Sequence, residues 1–293
     1  MKSKNLDKDI LQDLYVVKRK TAYEIGEIFQ VDKKTVLRYL RKYGIAVNPK
    51  QRKYELLKKI PLTKEQIEMI VGTLLGDGCI APHGRKNKSY RLLIGHCEKQ
   101  KDLVLYKKAI LGNLVNQIRI QEDKRKNSIM YNFTTITHHE LKKYYDLFYD
   151  NGKKIIKDEL INYLTPRSLA FWIMDDGSSG KNQNKVTLRL HTESFTEQEN
   201  IKLQTILKIG FDIKSKVCKF NRNNKEYCYL SINKENTLKL SKLTESYFID
   251  CMKYKIYTDP QRLECQSLDN NQVDDTVWTL WKHKELNRND LAN

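Results

Sequence analysis

The 293-residue sequence predicts an α+β protein, with a small all-helical N-terminal module ahead of two similar halves of mixed helix and strand. Three observations predict it. Apolar residues near the N-terminus recur at helical spacing between side chains that cap helices. Two apolar stretches, "IEMIVGTLLGDGCI" and "SLAFWIMDDGSSG", both run into Asp-Gly, and their final aspartates, Asp77 and Asp176, stand 99 positions apart. After each stretch the pattern runs in the same order: strand-like segments, a helix, more strands and a closing helix.

The bulk composition narrows the class of partner. Lys and Arg number 54 against 36 Asp and Glu, a net charge of +18 spread along the chain, which favours a polyanion. No apolar run approaches the length of a membrane-spanning helix, so no membrane partner is expected. The opening "MKSKNLDKDI" lacks the apolar core of a signal peptide, so the expected location is intracellular. Six cysteines show no C-x-x-C spacing and read as reduced thiols rather than zinc ligands.

Taken in order, residues 1–48 read as three short helices. Leu6, Ile10, Leu14 and Val17 give the first an apolar stripe. "TAYEIGEIFQVDKKTVLRYLRKYGI" supplies two more, with Thr21 and Asp32 as N-caps and Gly44 as the stop. Ile25, Phe29, Val31, Val36 and Leu40 are spaced to pack this pair together. The pattern resembles helix-turn-helix DNA-binding modules, with Gln30 where many members carry a turn glycine. That resemblance lays the second helix in a major groove, with Lys33, Lys34, Thr35, Arg38 and Arg41 as its exposed DNA-binding face. Residues 49–62 form a basic linker.

The first half spans residues 63–151. Thr63 and Gln66 make a capping box, and Ile67, Ile70, Val71, Leu74 and Leu75 form a core-facing stripe. Gly72 and Gly76 lie four apart on another face, open to close approach by a neighbouring helix. Gly78 is expected to end this helix just after Asp77. "SYRLLIGHC" is strand-like, "KQKDLVLYKKAILGNLV" helical, and "NQIRIQEDKRKNSIMYNFTTITHHE" a hairpin with a basic tip, its "HHE" a surface feature. A helix then runs toward Asp150.

The second half spans residues 152–258. Thr165 and Pro166 start a helix that is apolar on all sides from Leu169 to Met174 and that Gly177 ends. Along Val186–Thr192, Val186, Leu188 and Leu190 face one side, while Thr187, Arg189 and His191 face the other. Arg189 and His191 thereby offer positive charge and hydrogen bonds to DNA. "TEQENIKLQTILKIGF" is helical, "DIKSKVCKFNRNNKEYCYLSI" a hairpin, and "KENTLKLSKL" a later helix. The tail, residues 259–293, is polar apart from "VWTLW", where Trp278 and Trp281 could dock.

Two such apolar helices packed side by side bring Asp77 and Asp176 together at one end. Their like charges repel, and the negative ends of the helix dipoles add to the repulsion. A divalent cation relieves it, and hard oxygen donors suit Mg2+.

"IVGTLLGDG" (70–78) and "LAFWIMDDG" (169–177) align with the nine-residue motif of the LAGLIDADG homing endonucleases. The likeness extends through "NYLTPRSLAFWIMDDG", "HTESFT" and "MKYKI", over residues 63–258, and the chain resembles the single-chain, two-motif branch. The family implies two αββαββα halves forming a β-saddle, acting as a monomer on double-stranded DNA. It also implies one strand cut per motif aspartate across the minor groove, with short 3′ overhangs. By position Asp77 and Asp176 become metal ligands, with the backbone carbonyls of Gly76 and Asp175 as further ones. The basic residues near the metals match Lys154, with Lys153 as the alternative, and Lys255. Such a lysine stabilises the charged transition state or orders the attacking water.

Phe171 stands where the motif has glycine and Asp175 where it has alanine, so the helix seam should be asymmetric. Asp175 reads as a solvated or supporting acid. Two other functions fit this scaffold. An intron maturase would bind its own intron RNA, and a non-cutting transcription regulator would have lost its carboxylates, which both survive here. An intein is disfavoured because neither Cys nor Ser begins the chain and "DLAN" lacks a His-Asn ending.

Overall fold

The computed structural model describes residues 6–18, 20–45, 56–83, 89–123, 128–182 and 185–256. The tail with Trp278 and Trp281, most of the basic linker and the tip of the first hairpin lie outside them. No helix among the described residues is long and apolar enough to cross a membrane.

The N-terminal module has a core of its own, built on Leu6, Leu11, Tyr15, Ile25, Val36 and Leu40. Helix α1 (Lys8–Gln12) runs directly into a π-helical turn, Asp13–Val17. Wider than an α-turn, it rotates the buried face off the expected stripe. Leu11, Tyr15 and Val16 are buried, whereas Ile10 and Val17 are 49% and 67% exposed. Helices α2 (Ala22–Phe29) and α3 (Lys33–Lys42) take the expected caps. The Thr21 hydroxyl accepts from the Glu24 N–H while the Glu24 carboxylate accepts from Thr21, and Asp32 accepts from the Thr35 N–H. Gln30 closes α2 in the left-handed region, φ 52°, taking the place a turn glycine has elsewhere.

The first half consists of α4 (Lys64–Leu75), β1 (Cys79–His83), β2 (Ser89–Cys97), α5 (Lys101–Leu111), β3 (Arg119–Asp123), β4 (Ser128–Thr134) and α6 (Leu141–Phe148). A short ribbon, β5 (Tyr149–Asp150) with β6 (Lys153–Lys154), leads onward. The second half repeats the order: α7 (Pro166–Asp176), β7 (Gly177–Asn182), β8 (Lys185–Leu190), α8 (Glu197–Phe211), β9 (Ser215–Arg222), β10 (Lys225–Ile232) and α9 (Lys234–Thr244). Each half carries a four-stranded antiparallel sheet, ordered β1-β2-β4-β3 and β7-β8-β10-β9.

The inner strands alternate, as the sequence predicts for β8. On β2, Tyr90, Leu92, Ile94 and His96 are buried, while Arg91, Leu93 and Gly95 face away. On β8, Leu188 and Leu190 are buried, but the strand stops at Leu190, so His191 and Thr192 lie beyond it. Asn223 and Asn224, both at positive φ, make the two-residue turn of the β9–β10 hairpin. One continuous apolar core joins the halves, with α4 and α7 at its centre.

Two expectations need correction. Helix α4 ends at Leu75 with Gly76, not Gly78, as its cap; Gly78 instead donates its N–H to the Thr73 carbonyl. The "HHE" segment is not a plain surface feature, because His138 is 1% exposed. Its Nε2 bonds the Ile60 carbonyl, His139 bonds the Lys58 carbonyl and Glu140 accepts the Leu62 N–H, fastening the end of the linker to the first half.

Candidate active site

The site begins with how closely two helices meet. A Cβ on Gly72 would stand 2.1 Å from the Ser168 carbonyl oxygen, and one on Gly76 would stand 2.4 Å from the Asp175 Cβ. Only hydrogen fits at either place, so α4 lies backbone to backbone on α7. The seam is asymmetric as expected: glycines on α4 face Ser168, Phe171 and Asp175 on α7. Both helices stop at the same end of this seam, and that brings Asp77 and Asp176 together.

The two carboxylates differ in ionisation. Asp176 is pushed up to about 8, first by burial and then by the negative charges of Asp77 and Asp175. Asp77 is held below the usual carboxylate range, first by its hydrogen bond with His96, against the opposing effect of burial. Its Oδ2 lies 3.3 Å from His96 Nδ1, and its side chain is 44% exposed.

Two lysines flank the pair in matching positions. Lys154 Nζ, on β6, donates to the Gly76 carbonyl (3.1 Å) and the Gly78 carbonyl (2.9 Å). Lys255 Nζ donates to the Met174 and Asp175 carbonyls, each at 2.6 Å. Burial lowers the pKa of both, against the pull of the nearby carboxylates. Lys153, by contrast, faces solvent. The Gly76 and Asp175 carbonyls, expected as metal ligands, are therefore engaged by ammonium groups.

The Asp175 side chain is not solvated; it is 0% exposed and its Oδ1 pairs with Lys107 Nζ at 2.5 Å. Lys107 Nζ also meets His96 Nε2 at 3.1 Å. Sequence reasoning missed both His96 and Lys107. The signals were present: Lys107 falls on the apolar stripe of α5 with Leu103 and Leu111, and "HCE" at 96–98 is echoed by "HTE" at 191–193.

The remaining candidates are exposed or half-buried. On α3, Lys33, Lys34, Arg38 and Arg41 are exposed and Thr35 is half-buried. Arg189 bonds Glu193 at 2.6 Å and stacks on the Tyr229 ring at 3.7 Å, while His191 bonds Ser178 and Glu193. Arg189 on β8 and His191 just past its end are thus both held in place.

This donor set fits a divalent cation. The charge of Asp77 helps push the buried Asp176 carboxyl up to about 8, and a cation at these hard oxygens would offset both effects. Asp77 and Asp176 would hold the ion.

Comparison with known proteins places this geometry in context. The model of the LAGLIDADG DNA endonuclease family matches residues 67–240. A probable intron-encoded endonuclease of Wickerhamomyces canadensis is 34% identical over 76% of this chain and 97% of its own length. A cytochrome b mRNA maturase, bI2 of Debaryomyces hansenii, is 31% identical over 67% of this chain and 75% of its own. The chain also matches RecA of Mycobacterium shimoidei, of which the match covers 47%. Among solved structures, the homing endonuclease I-WcaI bound to its DNA recognition sequence superposes with a TM-score of 0.63. It is 29% identical over 72% of this chain and 94% of that one.

Proposed function

The chain belongs to the LAGLIDADG DNA endonuclease family, and from that premise we propose that it makes a site-specific, metal-dependent double-strand break in DNA by phosphodiester hydrolysis. The observation that carries this reading is the close α4–α7 seam, which ends beside Asp77 and Asp176, with Asp176 pushed up to about 8 in part by the charge of Asp77. A purely structural turn aspartate would have no reason to stay buried with its pKa raised by a neighbouring carboxylate, as Asp176 is.

The chain's own groups divide the work. Asp77 and Asp176 hold a divalent cation, with Mg2+ the best match to hard carboxylate oxygens. When bound, that ion supplies Lewis acidity at the phosphate and lowers the pKa of attacking water. Lys154 and Lys255 put positive charge beside each carboxylate, suited to a transition state that gains negative charge. Arg189 on β8, His191 beyond its end and the basic α3 supply contacts along the duplex. A single chain carries both halves, so it acts as a monomer.

If the reading frame sits inside an intron, incubating the protein and Mg2+ with the joined flanking exons tests the proposal. Double-strand cleavage by the wild type should disappear in Asp77→Asn and in Asp176→Asn, with DNA affinity kept; full cutting by either variant refutes the roles. A second reading is favoured by the bI2 maturase relative, namely that the protein also binds its own intron RNA and assists splicing. Purified protein incubated with precursor RNA decides it, and unchanged splicing rates would count against it.

A further inference from the structure

Three ionisable side chains are sealed beneath the candidate site. Lys107 and the Asp175 carboxylate are 0% exposed, and the His96 ring is 1% exposed. They come from α5, α7 and β2, and together they end at Asp77. Lys107 Nζ lies 2.5 Å from Asp175 Oδ1 and 3.1 Å from His96 Nε2, while His96 Nδ1 lies 3.3 Å from Asp77 Oδ2. We propose that Lys107, Asp175 and His96 form a positioning relay that orients the Asp77 carboxylate, and that the second centre lacks it. This rests on Asp77 being a working carboxylate of the site.

The direction of the relay follows from taking Lys107 as an ammonium group paired with Asp175. An ammonium group only donates, so His96 Nε2, facing Lys107, accepts. The single ring N–H is then on Nδ1 and points at Asp77. A buried ammonium is tolerated only when paired, and Asp175 supplies the partner. Asp175 is itself pressed against Gly76. The aspartate that replaces the motif's alanine therefore serves as the anchor for Lys107.

The same geometry sets Lys107 against another reading of the cluster. Ligand atoms of Asp77, His96 and Asp175 lie within 4.8 Å of one another, a spacing that suits a metal ion. His96 Nε2 and Asp175 Oδ1 are already engaged by the Lys107 ammonium, which acts as an internal cation in that place.

The second half has no counterpart among the described residues. His191, which opens the echoing "HTE", bonds Ser178 Oγ at 2.9 Å and Glu193 Oε1 at 3.0 Å, and not the Asp176 carboxylate. One centre is thus held ready by a fixed donor and the other is not, so the two DNA strands are cut by non-equivalent centres.

Two measurements test this. Nitrogen-15 NMR of histidine-labelled protein, without DNA or metal, should show His96 protonated on Nδ1 alone, with His96→Asn assigning the signal. Protonation on Nε2 overturns the relay, and this readout stands even if the protein cuts no DNA. Single-turnover cleavage of DNA labelled on both strands then compares wild type with the paired variant Lys107→Met/Asp175→Asn, which removes both buried charges together and leaves neither stranded. The strand cut at the Asp77 centre should slow about tenfold or more relative to the other, within the range outer partners of metal ligands command. His96→Asn, which keeps a donor where Nδ1 stood, should retain the wild-type strand ratio, whereas His96→Leu should not. Equal slowing of both strands, or no change in their ratio, overturns the proposal.

Discussion

At the scale of single residues, Asp77 and Asp176 share a sequence position and have opposite tendencies to ionise. The His96 donor keeps Asp77 charged, whereas burial and that neighbouring charge leave Asp176 protonated until about pH 8. The folded state therefore holds a proton that the unfolded chain releases near its ordinary value of 3.8. The stability this proton confers is fully present below about pH 4 and is lost as pH rises toward about 8. Urea midpoints of the metal-free protein should fall between about pH 5 and about pH 8.5, and Asp176→Asn should flatten that decline. Divalent ions should displace up to about one proton at neutral pH, measurable by calorimetry in buffers of different ionisation enthalpy. Heats independent of the buffer would show that Asp176 is already ionised.

At the scale of elements, the seam between α4 and α7 determines whether there is a site at all. The Gly72 hydrogen lies over the Ser168 carbonyl, and backbone cannot step aside as a side chain can. Gly72→Ala should destabilise the protein by ~1–3 kcal/mol or more, as overpacked cores do, and should slow cleavage by parting the two aspartates. Urea unfolding and single-turnover rates check both; an unaltered midpoint would mean the helices stand further apart. The caps of α2, α3, α4 and α7 were legible in the sequence because Thr21, Asp32, Thr63 and Thr165 act on N–H groups within three residues. The π-turn after α1 was not, because its one-residue shift follows from how Leu11 and Tyr15 fit the small core. Gly76 displaced Gly78 as the cap for a similar reason: Gly78 has Thr73 pressed against it.

At the scale of the whole molecule, a net charge of +18 and an exposed basic α3 make DNA affinity dependent on salt. Replacing Lys33, Arg38 and Arg41 together by Ala should weaken binding and reduce the slope of log affinity against log salt. The expected reduction is about 0.9 for each DNA phosphate that the variant no longer neutralises. A slope unchanged from wild type would exclude α3 from the DNA interface. Cleavage of a target trimmed to the segment under the two sheets should then be insensitive to the same substitutions.

The sequence alone was enough for the two-half organisation, the helix N-caps and the alternation of β8, and it singled out Asp77 and Asp176. All of these depend on periodicity, on contacts a few residues apart, or on a motif present twice. Only the tertiary structure decided that Lys107, Asp175 and His96 meet beneath one carboxylate, that lysines 154 and 255 engage the helix-end carbonyls, and that His138 fastens the linker. Those contacts join residues 11 to 81 positions apart, and whether a buried charge finds its partner depends on which elements the fold brings side by side.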